Sequence, residues 1–346
     1  MFSLKRSSLL ITLMILLGPA ALALPVPAPD RSAMERLLDG HRVINIVDDF
    51  LLFWDQAKHA TPYRQRRLWR RMVESKHYDY FERAVYRNAD AKERRAMLDE
   101  FLMRVAGQVD SIRDFNKKIS DISTSLLTEP IVYFKAGFPE YQQQSDVYIG
   151  LSLFRFDGAV RPVANDSGVP DTLCLGAEVL AGYTSEQIRV TIAHELFHLY
   201  HFSFLFQHPS LAEFKTAHMP LMIEGMAVAA TEEIYQSQPR KLYLHFSDEE
   251  LTAQQQKLGA SAARYLELIT IGATAEQYEP WFTNAQTDEA MPRGGYLIGY
   301  EVTRRVMATL SLQQMVRLTP AELREHAEEQ LAAMAGQGIL VLSLSN

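Results

Sequence analysis

Thr184-Ser-Glu-Gln-Ile-Arg-Val-Thr-Ile-Ala-His194-Glu195-Leu-Phe-His198-Leu-Tyr200 is the stretch from which the architecture of this chain is best read. Thr184 and Gln187 have the spacing of a capping box, which starts a helix about two and a half turns before His194. Ile188, Ile192, Leu196 and Leu199 follow the apolar helical period, and Phe202, Phe204, Leu205 and Phe206 extend it. The helix is therefore expected to be buried, with His194, Glu195 and His198 in its middle. Residues four apart share a helical face, so both imidazoles can turn toward one ion, with a carboxylate beside the first. Buried polar groups of this kind need partners, and a metal satisfies two rings at once. The H-E-x-x-H spacing points to zinc, which keeps one position for water and lowers the pKa of that water to about 7, with Glu195 as general base.

The third ligand must come from further along. Three and six residues after His198 stand His201 and Phe204, so the Gly and His of a metzincin are absent. A gluzincin takes a glutamate from a following helix. Residues 220–234 begin with Pro220, are rich in alanine, and embed one acidic residue, Glu224, among apolar neighbours. Gly225, Ala227, Ala229 and Ala230 are small, which suits a close approach to the motif helix. Glu232 and Glu233 lie toward the polar end and read as surface charge. In the segment Gly294-Gly-Tyr296-Leu-Ile-Gly299-Tyr300, the two tyrosines are one turn apart at the start of a further helix. Either hydroxyl suits an oxyanion opposite the metal, and either ring suits a core. Arg293, in a Pro-Arg-Gly-Gly loop, reads as an exposed residue or as a ligand for a substrate carboxylate.

H-E-L-F-H at 194–198, E-G-M-A at 224–227 and G-Y-L-I-G-Y at 295–300, taken in order, resemble the predicted zinc-dependent protease family first listed as a domain of unknown function (number 2268), a gluzincin-like group. The resemblance spans about residues 130–310. It implies His194, His198 and Glu224 as zinc ligands and Glu195 as general base, and it supplies no substrate.

The rest of the chain sets the surroundings. Lys5 and Arg6 precede an apolar run from Leu9 to Leu17, and Ala21-Leu-Ala23 has the small-x-small form of a cleavage site. Residues 1–23 thus read as a signal peptide and 24–30 as a proline-rich linker. The protein is expected in the periplasm or outside the cell, with no stable membrane span after cleavage. The single cysteine, Cys174, forms no intrachain disulfide and lies in an apolar run that reads as a buried strand. With 35 basic and 42 acidic residues the net charge is -7, which argues against nucleic acid as a partner. Arg64, Arg66, Arg67, Arg70 and Arg71 form a local exception, read as a solvated helix face rather than a surface for anionic lipid or a partner.

The spacing predicts a mainly helical α+β chain: an N-terminal helical region over 31–127 and a catalytic domain over 128–346. Helical periodicity is read over Met34–Phe53, Pro62–Tyr86 and Ala91–Leu127. A small mixed sheet before the motif helix is read from Ile131–Phe134, Asp146–Gly150 and Leu173–Gly176, with a last short strand at Ile339–Leu342. By analogy with gluzincins, an edge strand of such a sheet binds an extended peptide. The sequence reading is thus a zinc metallopeptidase acting on a peptide or protein substrate. Its rivals are a zinc hydrolase of non-peptide amides or esters and a non-enzymatic binding protein of the cell envelope. Oligomeric state is not legible.

Overall fold

A computed structural model describes residues 35–38, 41–121, 126–141, 145–208, 214–236, 238–284, 287 and 290–344, with backbone alone at 35–38 and 337–344. The expected signal peptide and linker lie outside the described residues. The chain is mainly helical α+β with a small mixed sheet. Two compact units are distinguished: one holds the chain up to Val132 together with Gln142–Arg189, the other Tyr133–Tyr141 together with the chain from Val190 onward.

The first unit contains the sheet. Its strands are β1 (Glu35–Leu38), β2 (His41–Asn45), β3 (Val147–Gly150), β4 (Gly158–Arg161) and β5 (Thr172–Gly176), in the order β1-β2-β3-β5-β4. β1 and β2 run antiparallel, β2–β3 and β3–β5 parallel, and β4–β5 antiparallel, with Val43 opposite Val147 and Ile149 opposite Leu175. β5 is buried along its whole length, Cys174 included, as suits an interior strand flanked on both sides. Asn45 ends β2 by accepting from the Val47 amide and donating to Asn116, which starts the helix Val47–Ala57. Phe50, Phe53, Trp69, Phe81 and Phe101 form an aromatic core in which neighbouring rings meet mostly edge to face.

Three local expectations are corrected. The helix expected from Met34 begins only at Val47, because His41–Asn45 pairs as a strand. Val43, Ile44 and Ile46 are all buried there, and a continuous apolar run has no period to distinguish strand from helix. Ile131–Phe134 is not a strand but part of the helix Thr128–Gly137. Ile131 and Phe134 are buried while Val132 and Tyr133 are exposed, an i, i+3 pattern, and Phe134 stacks on Phe138 one turn on at 4.8 Å. Ile339–Leu342 continues the backbone of the helix Pro320–Leu344, which Thr319 and Glu322 cap reciprocally. Among the described residues no helix is long and apolar enough to cross a membrane.

Candidate metal centre

The motif helix spans Ser185–Leu205. The Thr184 hydroxyl accepts from the Gln187 amide at 3.2 Å and the Gln187 side chain accepts from the Thr184 amide at 2.9 Å, the reciprocal cap that the sequence implies. Ile188, Ile192, Leu196 and Leu199 are buried. This packing holds the helix by its apolar faces and leaves His194 less enclosed than Glu195 and His198, with 14% of its side chain exposed. The ring of His198 stacks on Phe202 one turn on, at 5.6 Å and 11°, which fixes its plane.

Glu224 lies on the helix His218–Ile234, where it is buried among apolar neighbours. The helix is anchored near its start by the Tyr265 hydroxyl, which donates to the Ala217 carbonyl at 2.8 Å. It is pinned in its middle by a glycine crossing. A Cβ on Gly225 would meet the Gly299 backbone at 2.2 Å, and one on Gly299 would meet the Leu221 carbonyl oxygen at 2.3 Å. The small residues around Glu224 thus serve, at Gly225, the approach of the helix Gly294–Val306 rather than that of the motif helix.

His194 Nε2, His198 Nε2 and Glu224 Oε2 converge. The two imidazole nitrogens are 3.0 Å apart, and the carboxylate oxygen stands 3.1 Å from the first and 3.5 Å from the second. Three donors at zinc bond lengths of 2.0–2.1 Å in a tetrahedral site are separated by about 3.3 Å, so the residues fit that ion. The chemistry of the set agrees. Two nitrogens and a carboxylate with their lone pairs aimed at one point repel one another unless a cation or shared protons lie between. Among the described residues these three form the one group of His, Cys, Asp and Glu able to hold a metal. Burial pushes the Glu224 carboxyl upward, but the charge and hydrogen bonds of His198 and His194 prevail and hold it well below the usual carboxylate range. Glu195, adjacent to the first histidine, is 8% exposed.

The two tyrosines part company. Tyr296, half-buried, sets its ring 6.4 Å from that of His194, with the Arg293 guanidinium over its face at 4.2 Å and Phe282 against its edge. Tyr300 is fully buried and donates to Glu232 at 2.8 Å; burial and that carboxylate together raise its pKa. Glu232 also faces Arg304 at 3.4 Å, so it is engaged away from the histidines. Arg293 was legible in sequence as an exposed loop residue or as a ligand for a substrate carboxylate. Its left-handed backbone, φ 56°, and its place over Tyr296 emerge from the fold. His201, one turn past His198, is fully buried without a hydrogen bond to either ring nitrogen among the described residues. Burial first, then His198, pushes its pKa down to about 3.

The model of the family described as predicted Zn-dependent protease (DUF2268) matches residues 158–325, a segment that contains His194, Glu195, His198, Glu224, Tyr296 and Tyr300. No curated protein and no solved structure matches the chain.

Proposed function

Taking residues 158–325 as a segment of the predicted Zn-dependent protease family, we propose that the chain is a zinc metallopeptidase that hydrolyses peptide bonds in the periplasm or outside the cell. The observation that carries the reading is the convergence of His194, His198 and Glu224 on one point, with Glu195 beside the first ligand. Zinc held by those three side chains supplies Lewis acidity to a carbonyl and acidity to a water. Glu195 takes a proton from the attacking water and returns it to the leaving amine. Tyr296 donates its hydroxyl to the carbonyl oxygen as negative charge grows there, and Arg293 over its ring keeps it in place. Tyr300, already donating to Glu232, braces the helix. The location is supported by the basic, apolar and small-x-small succession over residues 1–23.

The test is incubation of the zinc-loaded mature chain with a peptide library, products being read by mass spectrometry, alongside Glu195→Gln. Cleavage by the parent and its loss in a variant that still holds zinc are expected. Unchanged cleavage by Glu195→Gln would remove the general base from the mechanism. Turnover of an ester and amide panel with none of peptides would replace the peptidase with another zinc hydrolase. The amino terminus of the exported protein, expected at Leu24, checks the location.

A further inference from the structure

An arginine concentration lies outside residues 158–325, and the chemistry proposed for the metal centre does not use it. The helix Pro62–Trp69 passes directly into a π-helical stretch, Arg70–Glu74, and a second π-helical stretch covers Phe81–Tyr86. Together with the helix Ala91–Val105 they wall a cleft of about 910 Å³, within the range of roughly 300–1,000 Å³ usual for small-molecule sites. Arg66, Arg67, Arg70 and Arg71 line it from the first helix and its extension, and Arg94 and Arg95 from the later one.

The charges do not cancel. Asp99 pairs with Arg66 at 2.7 Å and Arg95 at 3.8 Å, Glu82 pairs with Arg94, and Glu74 accepts from the Tyr86 hydroxyl at 3.0 Å. Arg67, Arg70 and Arg71 are exposed and have no carboxylate partner among the described residues. Six guanidinium groups thus face three carboxylates, in a chain whose net charge is -7. A solvated helix face explains one row of arginines. It does not explain the concavity itself, whose second wall is the helix that carries Arg94 and Arg95, each held by a carboxylate. Nor does it explain two π-helical stretches in its walls, a rare geometry concentrated at functional sites.

We infer that this cleft binds a ligand carrying phosphoryl groups. Arg67, Arg70 and Arg71 stand at i, i+3 and i+4 and so project from one face. A phosphoryl group offers three oxygens in a tetrahedral array and accepts the forks of several guanidinium groups from different directions, whereas a planar carboxylate offers two oxygens. Tyr63, 71% exposed at the same cleft, offers a ring face to the remainder of the ligand.

Calorimetric titration of the zinc-loaded full chain tests this, with myo-inositol hexakisphosphate as the soluble probe and phosphatidylglycerol vesicles as the lipid probe. The variant is Arg67→Gln/Arg70→Gln/Arg71→Gln. The control, Arg64→Gln/Lys92→Gln, removes nearby charge from residues that do not line the cleft. Any phosphate bound at zinc is common to all three proteins, and far-ultraviolet circular dichroism checks that each is folded. The parent is expected to bind, the triple variant to bind at least about tenfold more weakly, the control to bind like the parent, and salt to weaken the complex. Binding of the soluble probe assigns a free phosphoryl compound; binding of vesicles alone assigns a lipid headgroup. No binding of either probe, equal binding by parent and triple variant, or equal loss in variant and control would overturn the site and leave a solvated basic face.

Discussion

Tyr296 and Tyr300 are one helical turn apart, and they have different neighbours. Tyr296 faces the His194 ring, so Tyr296→Phe should lower kcat of peptide cleavage by about 10²–10³ with little change in KM. Tyr300→Phe should instead lower the thermal midpoint, through the loss of a hydrogen bond to a half-buried carboxylate, on the order of 1 kcal/mol. Steady-state kinetics beside thermal melts distinguish them, and the opposite pattern would exchange their roles. Glu224→Ala should abolish stoichiometric zinc in elemental analysis of the dialysed chain; equal retention would mean that another residue completes the site. A pH effect arises at His218, fully enclosed at the start of its helix, where burial first and Arg324 second push the pKa down to about 4. The unfolded chain protonates this residue near pH 6.5 and the folded chain does not. Between those values the unfolded state binds more protons, so stability falls as the pH drops from about 6.5 toward 4. Urea unfolding at pH 7 and pH 5 should show the loss, and His218→Leu should lose less. Equal losses in both proteins would remove His218 as a contributor.

The crossing of Gly225 and Gly299 would couple helix packing to the proposed metal ligands, because Glu224 is next in sequence to one of the two touching glycines. Gly299→Ala would drive a Cβ into the Leu221 carbonyl oxygen and force the helices His218–Ile234 and Gly294–Val306 apart. Overpacking of this kind costs about 1–3 kcal/mol. The expected outcome is a lower thermal midpoint together with weaker zinc binding in a competition titration; a loss of stability with zinc affinity intact would show that the crossing does not position Glu224. This crossing also marks where the sequence stopped being legible. The motif helix was readable because its cap, period and ligand spacing lie within a few turns and agree with one another. Glu224 was readable as a lone acid in an apolar helix. The partner of Gly225 was not, because that contact joins residues far apart in sequence. Short apolar runs failed for a different reason: Ile131–Phe134 and Ile339–Leu342 carry too few residues to express a period, and His41–Asn45 owes its strand state to pairing with β3, about a hundred residues later. The arginine face was visible in sequence, but the concavity formed with Ala91–Val105 was not.

Across the chain, a charge of -7 coexists with a basic cleft and with a candidate metal centre whose three residues come from two helices. Metal that binds only the folded site adds RT ln(1 + [Zn]/Kd) to stability, about 4 kcal/mol at a thousandfold excess over Kd. On the proposed reading that gain falls at the two histidines and Glu224, whose converging donor atoms a bound ion would bridge. Hydrogen exchange should therefore show zinc-dependent protection over residues 190–205 and 218–234, which carry the ligands, and over 294–306, which packs against the second of them through Gly299. Removing zinc with a chelator should reverse that protection and lower the thermal midpoint, and adding zinc back should restore both. Protection that ignored zinc in all three segments would mean that these side chains do not hold the ion. Protection rising over 190–205 and 218–234 but not over 294–306 would separate the metal ligands from the helix that carries Tyr296, and with it the role proposed for that hydroxyl.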